Sequence, residues 1–170
     1  MSLPRFAPVA NSTESQVAAL LASLEAKGLH LAIAESLTGG LLTSAFVDVA
    51  GASKVLLGSI VAYQSDLKQK LLGVSRALLQ EQGAVDPEVV AQMAGGVRAK
   101  LAAKSGLDES KVFGLATTGV AGPDPQDGKP VGTVYIGISG PTGDFVYPLV
   151  LSGTRSEIRI AAVEAAVASL

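Results

Sequence analysis

Leu29–Glu35, LHLAIAE, is apolar at consecutive positions rather than at alternate ones. A strand with that pattern hides both faces, so it needs a layer of helices above and another below. Two further runs, KVLLGSIVAY (54–63) and KVFGLATTG (111–119), read the same way. Between them lie helical patterns. TESQVAALLASLEAK (13–27) repeats apolar residues at helical spacing and stops at Gly28, and from about Thr38 the pattern turns helical again through TGGLLTSAFVDVAG. QSDLKQKLLGV and SRALLQEQG form shorter helices, the second with Ser75 as N-cap and Gly83 near its end. VDPEVVAQMAGGVRAKLAAKSG has Asp86 at the N-cap, Pro87 at the first helical position and Glu88 in the first turn, which together make a complete helix start. TVYIGIS and DFVYPLVL, joined by GPTG, read as a hairpin, and a last helix runs from near Thr154 almost to Leu170. The expectation is a three-layer α/β/α sandwich on a mixed, mostly parallel sheet with an antiparallel hairpin portion. It forms one domain over residues 13–170, with a flexible segment at 1–12.

The composition excludes several function classes. The 170 residues carry 13 basic and 15 acidic side chains, a net charge of -2, which provides no basic field to collect nucleic acid. There is no cysteine, so thiolate chemistry, disulfides and sulfur-ligated metals are out. One histidine, His30, cannot build a multi-histidine zinc site. Its plainer role is a residue at the entrance to a strand, so a nucleophile here needs a base other than histidine. No apolar run is long enough for a membrane span and no secretory signal opens the chain, which gives an expectation of a cytoplasmic protein without membrane partners. The small-residue stretch AQMAGGVRAKLAAK can pack closely within the subunit or against a second copy, so a homo-oligomer stays open.

Two strands end in related chemistry, AESLTGG and ATTGVAGP. Ligands of open α/β sheets gather beyond the carboxyl ends of strands. Hydroxyls followed by glycines there, Thr38, Gly39 and Gly40 in one turn and Thr118 and Gly119 in the other, can bring backbone donors up to an anion or an oxyanion. The plainer reading is helix capping and packing. The first turn is overfurnished for that purpose, because a strand-to-helix turn needs one cap and one glycine, whereas Glu35, Ser36 and Thr38 precede two glycines. Ser36 is the nucleophile candidate, and a lysine made neutral by burial is the available base. Lys68 and Lys70 both follow the second strand, and residue chemistry alone does not choose between them. Arg155 and Arg159 stand i, i+4 at the start of the last helix, where cations oppose the helix dipole. An anion held between them and the helix end would reverse that cost; pairing with Glu157 or a neighbouring subunit is the plainer account.

Taken in order, AESLTGG, GSIVAYQSDLKQKLLGV, GAVDPEVVAQMA, TTGVAGP, KPVGTVYIGI and SGTRSEIRIAAVEAAVASL resemble the nicotinamide mononucleotide deamidase family, whose domain also forms the carboxyl end of the competence and damage-inducible protein CinA. The likeness runs from about Leu31 to the chain end. It implies an amidohydrolase that converts nicotinamide mononucleotide to nicotinic acid mononucleotide and ammonia, with no metal or cofactor. By the same likeness Ser36 is the nucleophile, Tyr63 and Lys68 belong to the catalytic set, Thr118 and Gly119 form the second turn, and Arg155 meets the nucleotide. The competing expectation is a non-catalytic nucleotide-binding or regulatory module of the same fold. Two departures stand out. The loop GPDPQDGKPVG is less glycine-rich than is common in the family, and the amino-terminal domain of the fused proteins is not in this sequence, so its activities are not carried over.

Overall fold

The side chains of the sheet differ in size from one face to the other, and that difference sets the layers. In this computed structural model, which describes residues 11–170, β1 (His30–Glu35) sends Leu31 and Ile33 to one face and Ala32 and Ala34 to the other. β3 (Val112–Gly119) and β4 (Thr133–Gly140) repeat the division, with Leu115, Ile136 and Ile138 on the large-residue face. There they pack against α1 (Asn11–Ala26), α2 (Leu41–Val47) and α6 (Arg155–Ala168) through Val17, Leu21, Leu42, Phe46 and Val163. The opposite face is kept shallow by alanine and glycine, so α5 (Pro87–Ser105) lies almost on the backbone of the sheet. A Cβ at Gly114 would stand 2.1 Å from the Ala94 carbonyl oxygen, and one at Gly137 would stand 2.6 Å from that of Val90.

The remaining elements are β2 (Leu56–Val61), α3 (Ser65–Leu72), α4 (Arg76–Gln82) and β5 (Gly143–Val150). The sheet order is β2-β1-β3-β4-β5. β2, β1 and β3 pair in parallel; β4 runs against β3, and β5 against β4, so four of the five strands point the same way. This is the expected three-layer sandwich. The GPTG reversal closes the hairpin with Gly140 opposite Gly143.

Helix starts follow their caps. Asp86 accepts from the N–H groups of Glu88 (2.8 Å) and Val89 (3.4 Å), and Thr154 with Glu157 forms a capping box at α6. α2 starts at Leu41, three residues later than its sequence pattern indicates, because Gly39 (φ 57°) and Gly40 (φ 99°) turn the chain through the left-handed region first. Ala52–Lys54 form a short 3-10 turn, which delays β2 to Leu56. The small residues of α5 are used inside the subunit: a Cβ at Gly96 would stand 1.8 Å from the Leu72 carbonyl oxygen of α3. The expected flexible segment at 1–12 falls outside the described residues over 1–10, and α1 already includes Asn11. Among the described residues no helix is long and apolar enough to cross a membrane, and no three His, Asp or Glu side chains are grouped to hold a metal ion.

Candidate active site

The parallel strands deliver their carboxyl ends to one edge of the sheet. Pairing of β1 with β3 ends at Glu35 and Thr117, and one rung further the Ser36 N–H donates to the Thr117 carbonyl at 3.1 Å. Beside it, β2 ends at Val61 and the Ala62 N–H donates to the Glu35 carbonyl at 2.9 Å. The chain then turns through Tyr63 and Gln64 into α3. Lys68 sits one turn into that helix, and helical side chains lean toward the helix N-terminus, so its ammonium swings back under the strand ends. Its Nζ lies 3.0 Å from Ser36 Oγ. It also donates to the carbonyls of Ala62 (2.8 Å) and Tyr63 (3.3 Å).

Lys68 is fully buried, and that burial pushes its pKa from 10.5 down to about 8, against a smaller upward pull from the Asp127 carboxylate. Lys70, its rival on sequence, pairs with Asp66 at 2.6 Å on the exposed side of α3. The two lysines are two residues apart, so the helix turns them to different sides.

A cavity of about 320 Å³ opens over the pair, and its lining includes Ser36, Tyr63, Lys68, Thr118, Gly119 and Arg155. Tyr63 is 58% exposed; its hydroxyl accepts from Arg155 Nη2 at 2.9 Å, while Arg155 Nη1 donates to the Gly122 carbonyl. Lys68 meets the backbone carbonyl of Tyr63, and the phenol is committed to the arginine. Thr118 Oγ1 donates to the Ala84 carbonyl at 2.7 Å, so its hydroxyl braces the wall of the cavity. Gly119 approaches β4 so closely that a Cβ would stand 2.7 Å from the Thr133 carbonyl oxygen. The Val120 N–H donates to the Thr133 carbonyl at 2.8 Å, and backbone groups alternate in direction along a strand, so the Gly119 N–H faces the β1 side beyond the last rung.

Four of the expected substrate contacts serve the protein itself. Thr38 is fully buried and its Oγ1 bonds Thr117 Oγ1 at 2.9 Å. Gly39 and Gly40 do not line the cavity, because the N-terminal amides of α2 already have an anion. The buried Glu35 carboxylate accepts from the N–H groups of Gly40 (2.9 Å), Leu42 (3.1 Å) and Thr43 (2.9 Å), and from Thr43 Oγ1. Arg159 likewise turns away from the cavity and forks onto the carbonyls of Leu37 (Nε, 2.9 Å) and Thr38 (Nη2, 2.8 Å). The first turn of α6 is occupied too, since Thr154 Oγ1 accepts from the Glu157 N–H and Glu157 returns to the Thr154 N–H at 2.7 Å. The expected placement of both arginines around this helix end does not hold, because Arg159 is bound to the Leu37 and Thr38 carbonyls and Arg155 alone of the pair lines the cavity.

Two contributors were given no role by residue chemistry. Glu35 fixes the turn that carries Ser36, and its only sequence signal is an acid at a strand end ahead of a glycine-led helix. Asp127, with a positive φ of 50°, accepts from the Ala84 N–H at 3.0 Å and ties the 120–132 loop down beside Lys68. His30 opens β1, as its plainer reading has it, about 20 Å from Ser36 at the usual rise per strand residue. Its Nδ1 is buried and has no hydrogen-bond partner among the described residues.

Comparison with known proteins places this geometry in a family. Residues 13–170 match the family described as the CinA C-terminal domain. A CinA-like protein of Frankia casuarinae is 46% identical over 147 residues, covering 86% of this chain and 32% of that protein. The chain spans about a third of the length of the curated relatives it matches. Among solved structures, the competence/damage inducible protein of Agrobacterium tumefaciens superposes with a TM-score of 0.84 at 31% identity, over 99% of this chain and 96% of that one. A competence-damaged protein (CinA) superfamily protein from Escherichia coli gives 0.83 at 29% identity, over 98% and 92%. The chain is a member of the CinA C-terminal domain family.

Proposed function

We propose that the domain is a serine amidohydrolase that deamidates nicotinamide mononucleotide to nicotinic acid mononucleotide. The observation that carries this reading is the 3.0 Å contact between the buried Lys68 amine and Ser36 Oγ under an open cavity. A serine hydroxyl is a weak nucleophile until a base takes its proton. With Lys68 titrating at about 8, about a tenth of it is neutral at pH 7, some 300-fold more than for a solvated lysine.

The steps balance as follows. Neutral Lys68 removes the Ser36 proton as Oγ bonds the carboxamide carbon, and the carbonyl π pair moves onto oxygen. The N–H groups at the strand ends, Gly119 among them, receive that oxyanion, a contribution of about 2.7–4 kcal/mol per donor in comparable hydrolases. Collapse breaks the C–N bond, and Lys68 returns its proton to the departing nitrogen, so ammonia leaves and an acyl-serine forms. Water, deprotonated by Lys68, then cleaves the ester to the acid and regenerates Ser36. Arg155, the guanidinium at the mouth of the cavity, takes the substrate phosphate after exchanging its Tyr63 and Gly122 partners.

The test is ammonia release from nicotinamide mononucleotide by the purified protein and by Ser36→Ala and Lys68→Ala. The reading expects turnover in the parent and none above background in either folded variant. Saturable binding without turnover in the parent would instead favour a non-catalytic nucleotide-binding module.

A further inference from the structure

The proposed substrate carries its amide on a pyridinium ring, so the site must accept a cation as well as a phosphate. Two cationic side chains, Lys68 and Arg155, already line the cavity. Among the described residues lining it there is one carboxylate, Asp124, on the loop that departs from the glycine-rich run common in the family. Among the described residues no ion pair or side-chain hydrogen bond engages it, whereas its neighbour Asp127, which does not line the cavity, accepts from the Ala84 N–H in the cavity wall. A carboxylate offers acceptors only, so what it meets must be a donor or a positive charge. Ring charge is the better match, because Coulomb attraction acts across the width of a cavity of about 320 Å³ without needing one bond geometry.

We infer that Asp124 is a specificity-determining residue that selects amides on a positively charged ring over the same amides on a neutral ring. This rests on the deamidase reading above. It makes oxidised nicotinamide mononucleotide a ligand and disfavours its 1,4-dihydro form, which has the same carboxamide, ribose and phosphate but an uncharged ring.

The experiment is calorimetric binding of both forms at low ionic strength to the full chain carrying Ser36→Ala, which prevents turnover, with and without Asp124→Asn. Shape differences between the ligands cancel in the ratio of ratios, as does any repulsion between Asp124 and the phosphate. The expected result is a preference for the oxidised form that falls by about tenfold in Asp124→Asn while affinity for the dihydro form holds or improves. A preference unchanged by Asp124→Asn, with both forms still binding, overturns the role of Asp124 and leaves the deamidase reading standing. Failure of the oxidised form to bind overturns both.

Discussion

Replacing Lys68 by methionine keeps an unbranched chain in the buried slot and removes the titrating amine. The parent lysine has a folded pKa of about 8 against 10.5 when solvated. A lowered folded pKa means that the native state binds protons less well than the unfolded chain, so the burial cost is complete below pH 8 and fades as pH rises toward 10.5. Linkage puts that cost at about 3 kcal/mol at pH 7 and about 1 kcal/mol at pH 10. Methionine has no such term, but it leaves the Ala62 and Tyr63 carbonyls without the Lys68 donor, a loss of about 1–3 kcal/mol each that does not depend on pH. The absolute stability difference therefore mixes opposing effects, whereas its pH dependence isolates the amine. Urea denaturation of both proteins at pH 7 and pH 10 should show the parent gaining about 2–3 kcal/mol on Lys68→Met over that interval. Other titrating groups act equally in the two proteins and cancel. A difference that stays constant across the interval would refute the argument that burial depresses this amine.

Three further outcomes test the supporting structure. Glu35→Gln turns an NH₂ group toward backbone donors that now meet a carboxylate, and should cost about 2–4 kcal/mol in urea denaturation, with activity falling as the Ser36 turn loosens. Arg159→Met releases the Leu37 and Thr38 carbonyls next to Ser36; kcat for ammonia release should drop while KM holds, whereas a substrate-binding arginine would raise KM. Gly114→Ala forces a methyl group to within 2.1 Å of the Ala94 carbonyl oxygen, and displacement of α5 should lower stability by about 3 kcal/mol.

Strand burial was legible because it is a local pattern: consecutive apolar residues in LHLAIAE and KVFGLATTG announce a covered sheet whichever helices cover it. The caps at Ser75 and Asp86 were legible for the same reason, since each acts within three residues of itself. The roles of Arg155 and Arg159 were not. They lie one helical turn apart with the same chemistry, and only the placement of α6 over the Leu37–Thr38 backbone sends one into the structure and the other to the cavity. Thr38, Gly39 and Gly40 misled because a glycine-led helix start looks like an anion site until its occupant is known. Here the occupant is Glu35, five residues upstream of Gly40 and easily read as the end of a strand. Choosing Lys68 over Lys70 by residue chemistry needed the same tertiary fact, the side of α3 that faces the sheet.

The most direct measurement of the central claim is the titration of the Lys68 side chain itself, followed by NMR of the protein with labelled lysine and assigned by comparison with Lys68→Met. An amine held out of water beside Ser36 should titrate near pH 8. A midpoint above pH 10, the value of a solvated lysine, would contradict the account.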